Sequence, residues 1–343
     1  MKKLSIAIAA AAILASSAFG LDIKDGRMRL VLDERSGRFA LYYLEDVARN
    51  RYAPLLYDQE TRTTYATLSF DQKTYKLGDA SEFRVSVSRQ DGGARVEFRS
   101  SFCVVKQTFS FLASPGATMS DGLGVAFEIE NVSQKDAEIG LRVLLDTWLG
   151  EKGSAHFSTQ ALGPLSIETA LSGDYSDAWI RSSDGQAVTG LQVQLAVPAT
   201  RPDRLVAANW KRLNDNAWSF EANPARNFTL LPYSINDSAI AMYFEPAPVR
   251  PGSTRAIRTV LSQATDSYPT VASAPAAAGP ADPAGIPVPA DTAPLDEMAD
   301  LVAARSVLDA VNAALASGAG MSADDIAALE SILRRLEARK SKY

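Results

Sequence analysis

The chain has very little cysteine and histidine, one residue of each in 343. A lone Cys103 cannot form an internal disulfide. It lies within "SSFCVVKQTFSFL", where a small buried strand residue is expected rather than a reactive thiol. A lone His156 excludes any metal site built on two histidines, and no thiolate stands beside it, so no metal is expected. Glycine-rich phosphate loops of the G-x-G-x-x-G or G-x-x-x-x-G-K-[ST] type are missing, which leaves nucleotide cofactors without a cradle, and no cofactor is expected. The G-x-S-x-G elbow is missing too, so a Ser-His-Asp triad through His156 lacks its usual setting. Nor is there a surplus of basic charge. With 35 Lys and Arg against 40 Asp and Glu, the net charge of −5 argues against nucleic acid or anionic lipid as a main partner. Beyond the first twenty residues nothing approaches the roughly 20 apolar residues of a membrane span.

What is present begins with "MKKLSIAIAAAAILASSAFG", two lysines, an apolar stretch and small residues at Ala18 and Gly20. Residues 1–20 read as a secretory signal cleaved after Gly20, and periplasmic localisation is expected, with extracellular release the other outcome. Losing Lys2 and Lys3 takes the charge from −5 to −7. At the other end, no aromatic residue occurs between Tyr268 and Tyr343, and no lysine or arginine between Arg258 and Arg305. The Ala- and Pro-dominated residues 266–293 read as an extended linker.

Residues 21–265 carry a β signal almost throughout. "RMRLVL", "RFALYYL", "YATLSF", "KTYKL", "FRVSVSR", "ARVEFRS", "CVVKQTFSFL" and "GLGVAFEIEN" follow one another between turn residues. "GLQVQLAV", "RLVAANW", "AIAMYFEP" and "TRAIRTVLS" follow later. About fifteen short strands with no helix between them predict a mainly β fold, a large antiparallel β-sandwich. "GVAFEIEN" and "AEIGLRVLLDT" flank the polar "VSQKD" and predict a hairpin. Alternation would place Ile139, Leu141, Val143 and Leu145 on the core face, with Glu138, Arg142 and Asp146 opposite.

The loop after that strand, "TWLGEKGSAHF", gathers Asp146, Trp148, Glu151 and His156 as candidate ligand-binding residues. The plainer and preferred reading makes Asp146 a turn cap that accepts backbone N–H bonds toward Gly150 and His156 a surface residue. No residue is then catalytic, although 40 acids leave many possible carboxylate pairs for glycoside chemistry.

The succession of short strands, with "LVLDERSGRFALYYL" near its start, resembles the supersandwich layout of galactose mutarotase-like domains over residues 22–262. That resemblance implies sugar binding on a concave sheet. Mutarotases use two histidines and a glutamate, so with only His156 it implies the fold without mutarotase activity. "RVLLDTWLG" is similar to an element of secreted bacterial envelope proteins, spirochaetal ones among them, which implies an envelope role.

Residues 294–343 predict an α-helical hairpin. Leu295, Met298, Leu301, Val302, Leu308, Val311 and Leu315 share one helical stripe, and Gly318 and Gly320 end it. Ser322 caps a second helix striped by Ile326, Leu329, Ile332, Leu333 and Leu336. Leu301, Leu308, Leu315, Ile326, Leu329, Leu333 and Leu336 are candidate partner-binding residues, for another protein or a second copy of the chain. The function expected from the sequence is therefore a non-catalytic periplasmic interaction or scaffold protein of an envelope or motility assembly. The alternative is a carbohydrate-binding or carbohydrate-processing protein that uses the sheet and the 146–156 loop.

Overall fold

The computed structural model describes residues 20–183, 189–216 and 218–266. Residues 1–19 of the expected signal sequence, nearly all of the expected linker and the whole of the expected helical hairpin, with the candidate partner-binding leucines and Ile326, lie outside the described residues. Alternating and continuous apolar runs produce nineteen strands among the described residues. They are β1 (Leu21–Asp25), β2 (Met28–Leu32), β3 (Phe39–Asp46), β4 (Arg51–Pro54), β5 (Tyr65–Phe70), β6 (Lys73–Lys76), β7 (Arg84–Gln90), β8 (Gly93–Arg99), β9 (Cys103–Leu112) and β10 (Gly122–Asn131). Then come β11 (Ala137–Thr147), β12 (Phe157–Thr159), β13 (Gly163–Leu165), β14 (Thr169–Ser172), β15 (Trp179–Ser182), β16 (Leu191–Gln194), β17 (Arg204–Asn209), β18 (Ser238–Val249) and β19 (Thr254–Gln263). The strands form sheets of four (β1-β2-β3-β4), nine (β13-β12-β15-β16-β19-β10-β9-β8-β7) and six (β14-β17-β18-β11-β5-β6). Their pairings are antiparallel, as expected for a chain without βαβ crossovers.

One apolar cluster draws on all three sheets, with Met28 and Leu30 from the first, Val105 and Phe127 from the second, and Leu68 and Leu141 from the third. Phe39 of β3 meets Phe109 of β9 edge to face at 5.2 Å, so aromatic contacts join the layers. Cys103 is buried there, and burial pushes its thiol up to about 12, which keeps it protonated and inert.

The expected hairpin does not form. β10 pairs with β9 and β19, and β11 pairs with β5 and β18, so residues 132–136 carry the chain from one sheet to the other. The side chain of buried Asn131 fixes that corner, donating to Lys135 O at 2.9 Å and Val249 O at 2.8 Å while accepting from Ser133 N at 3.0 Å. Asn131, the last residue of "GVAFEIEN", is thus an inter-sheet clamp.

Ile139, Leu141, Val143 and Leu145 do face the main core. The opposite face of the six-stranded sheet is also covered. A short helix unforeseen in the sequence, α1 (Trp210–Asp215), is capped by Asn209, which accepts from Arg212 N at 3.2 Å. Leu213 and Phe220 close over Tyr65, Leu144, Val206 and Tyr243 as a second apolar cluster. Arg142 is wholly buried beneath them, donating to Leu213 O at 2.7 Å with its guanidinium 5.5 Å from the Tyr243 ring.

Candidate functional site

The site lies where β11 and β17 end and β18 begins. Thr147 and Asn209 are both register partners of Ser238, so Asp146, Asn209 and the Asp237–Ser238 pair come to one end of the sheet. Asn209 ties the end together, donating to Phe228 O at 2.8 Å, Ser234 Oγ at 2.9 Å and Asp237 O at 3.0 Å. Thr147 Oγ1 donates to Ser238 O at 2.9 Å.

Residues 148–156 then fold back under a tight turn. Gly150 N donates to Ser182 Oγ at 3.2 Å, and a Cβ on Gly150 would stand 2.0 Å from His156 O, so only glycine fits. This turn brings Glu151 to the start of β18, where its carboxylate accepts Ser238 N–H at 2.9 Å. Trp148 donates from its indole to Pro54 O at 3.2 Å, and Trp210 does the same to Thr63 O at 3.0 Å. Exposed Tyr57 is attached beside them, its N–H donating to Asp146 O at 3.0 Å.

Asp146 is only 5% exposed and is not the turn cap expected from the sequence. Its own N–H donates to Thr64 Oγ1 at 3.0 Å, and its carboxyl lies against the Thr63 hydroxyl. Burial raises that carboxyl to about 8, with repulsion from Asp237, Glu151 and Glu60 adding to the effect and the Thr63 hydrogen bond opposing it. Burial likewise raises Glu151 to about 7, against the Ser238 N–H that favours its ionised form. Asp237 is raised by burial as well. Like charges drawn close in a low-dielectric setting hold one another's protons on.

His156 is 4% exposed, which corrects the expectation of a surface residue. The ring stacks on Phe228 at 4.5 Å, Nδ1 has no hydrogen-bond partner among the described residues, and burial lowers its pKa to about 4. It is a neutral ring packed under the turn. Of the four candidates, Asp146 and Glu151 thus meet with Asp237 in a carboxyl cluster, whereas Trp148 is tied to Pro54 and His156 packs on Phe228. Sequence reasoning missed Asp237, Asn209, Ser238 and Phe228. The only local sign of Asp237 is "IND", which reads as an ordinary turn, and only the pairing of β18 with β11 and β17 brings it beside Asp146 and Asn209. Among the described residues no group of three or more His, Cys, Asp or Glu could hold a metal ion. No described helix is long and apolar enough to cross a membrane.

No protein-family model matches the sequence, and no curated protein matches it. Similar solved structures exist. An aldose epimerase homologue of C. elegans has a TM-score of 0.46 at 10% identity over 71% of this chain and 98% of its own. A galactose mutarotase-like protein of Lactobacillus casei has a TM-score of 0.43 at 12% identity over 71% and 99%. A galactose mutarotase related enzyme of Lactobacillus acidophilus has 0.42 at 9% over 74% and 99%. The likeness is to the galactose mutarotase-like fold. It is a likeness of fold alone. The expectation of a non-catalytic scaffold is corrected by the loop that was expected to be a plain strand end, which holds two buried carboxyls raised to about 7 and about 8. The scaffold reading drew its strength from the helical hairpin, which lies outside the described residues.

Proposed function

We propose that the chain binds and processes a carbohydrate at the end of the six-stranded sheet, with Glu151 and Asp146 exchanging protons with a sugar hydroxyl. One observation carries this reading: two neighbouring carboxyls are raised by burial to about 7 and about 8. An ordinary carboxylate is fully ionised at neutral pH and is a poor proton donor. A pair poised near pH 7 supplies an acid and a base together, since Asp146 keeps its proton while Glu151 gives and takes one. Glu151 is the more accessible of the two, which suits the group that meets the ligand. The Ser238 N–H fixes its orientation without removing its proton affinity. Tyr57, Trp148 and Trp210 are attached to the same strand ends, and flat rings beside hydrogen-bonding groups suit the apolar faces and hydroxyls of a pyranose.

Saturation-transfer NMR against a panel of monosaccharides and oligosaccharides tests the reading. Wild-type protein should saturate the resonances of at least one sugar, and Glu151→Gln should lose conversion of that sugar while retaining its binding. If no sugar is saturated, or if Glu151→Gln and Asp146→Asn both convert it at the wild-type rate, the proposal fails.

A further inference from the structure

Residues 229–236, "TLLPYSIN", form a closed tip that the carboxyl site does not use, and the tip carries no charged residue in a chain of 35 basic and 40 acidic ones. Leu231, Tyr233 and Ile235 are 71%, 68% and 72% exposed. Such exposure is not a sign of a loose loop. Leu230 N donates to Ser234 O at 2.9 Å, Ser234 N donates back to Leu230 O at 2.9 Å, and Asn209 holds Ser234 Oγ from below. The apolar side chains are presented on a fixed support. A contiguous apolar feature held out in this way on a soluble fold marks a contact with something other than water.

We infer that this tip docks on a lipid surface of zwitterionic character. Three side chains of this size offer on the order of 400 Å², about half of the roughly 800 Å² per partner that a stable protein interface needs, so a second copy or another protein is a poor occupant. A sugar is a poor occupant as well, because two of the three side chains are aliphatic and give no ring to stack on. Shallow insertion among acyl chains needs only a few apolar side chains, each gaining by leaving water. Tyr233 has the form suited to that boundary, an apolar ring with a polar end. Lys211 sits 5.2 Å from that ring, but its ammonium is paired with Asp215 at 2.7 Å. With that cation paired, no charge on the tip itself and a net charge of −5 on the chain, the tip has no built-in attraction to anionic headgroups.

The test is sedimentation of the full chain with phosphatidylcholine vesicles. The wild type should co-sediment, added anionic lipid or salt should not strengthen the association, and Leu231→Ser with Ile235→Ser should lower the partition coefficient about tenfold or more. In a separate Tyr233→Trp variant, brominated phosphatidylcholine should quench added fluorescence beyond that of the native tryptophans; this readout decides the matter if the double variant does not fold. Wild-type protein that stays in solution, a folded double variant that sediments equally, or an unquenched tryptophan at 233 would overturn the inference. Concentration-dependent self-association that the double variant loses would also overturn it, by giving the tip to a second copy.

Discussion

Replacing Asp146 by Asn should make the protein more stable, and the gain should depend on pH in a defined direction. In the folded chain the Asp146 carboxyl is raised to about 8 from 3.8, chiefly by burial. A raised acid favours the folded state only while it is protonated. Below about pH 4 both states hold the proton and there is no penalty. As pH rises from about 4 to 8 the unfolded chain ionises freely while the folded chain must keep the proton, so stability falls, and the loss is complete above the folded pKa. At 1.36 kcal/mol per unit, the interval from 3.8 to neutrality amounts to about 4 kcal/mol at pH 7. Asn keeps the shape and can still meet the Thr63 hydroxyl, but it does not titrate. Urea unfolding at pH 5 and pH 8 should therefore show wild-type stability falling with pH and the Asp146→Asn curve much flatter, with the variant ahead by up to that amount at neutrality. Glu151, raised to about 7, and Asp237, raised by burial, carry the falling slope that remains, against the opposite contribution of His156 below about pH 6.5, and adding Glu151→Gln should flatten the curve further above that pH. If wild type is as stable at pH 8 as at pH 5, or if Asp146→Asn changes stability at pH 8 by less than about 0.5 kcal/mol, the carboxyl is not held protonated and the site argument falls with it.

Three further outcomes follow from the same geometry. His156 has the opposite sign: its pKa is lowered to about 4 by burial, so its stabilising neutral form is lost as pH falls from about 6.5 toward 4, and His156→Phe, which keeps the stack on Phe228, should flatten the acid limb of a thermal denaturation profile. A persistent acid limb would show that other groups control it. Gly150→Ala places a Cβ 2.0 Å from His156 O and should cost about 2 kcal/mol or more while displacing Glu151, read as lost sugar conversion together with a lowered melting temperature; an unchanged melting temperature would contradict the tight turn. Asn131→Ala leaves the carbonyls of Lys135 and Val249 without their donor at a buried corner and should cost about 1–3 kcal/mol in urea unfolding, whereas a neutral result would mean the corner does not depend on that side chain.

Period-two alternation and turn residues were enough to read most strands, because each records one face turned to the core. "CVVKQTFSFL" is β9, and "RLVAANW" contains β17 almost residue for residue. What the sequence could not show was which strand lies beside which. The pairing of β10 with β11 was inferred from a short polar connection, but a connection of that length closes a corner between sheets as readily as a hairpin, and the Asn131 clamp decides between them only once β18 has arrived from more than a hundred residues away. The helix α1 was hidden for a similar reason. Six residues are too few to show a 3.6-residue period, and what holds them is the cap from Asn209 and the sheet beneath Leu213.

The candidate site shows the same limit more sharply. Asp146, Trp148 and Glu151 were visible as a local group, and local counting argued against chemistry because His156 had no partner. The count was made over the wrong group. The partners of Asp146 are Glu151 and Asp237, one on the following loop and one before a distant strand, and what matters is that all three lose water together. Burial of acids is unfavourable for folding, and the chain had a cheap remedy, since an amide at position 146 would fill the same space without the penalty worked out above. Asp stands there instead. A residue that lowers stability by kilocalories at neutral pH is most simply understood by what the proton it holds can do. On that argument, and on the proposed function, the stability and activity of Asp146→Asn should move in opposite directions, the variant being harder to unfold and failing to convert any sugar that the wild type converts.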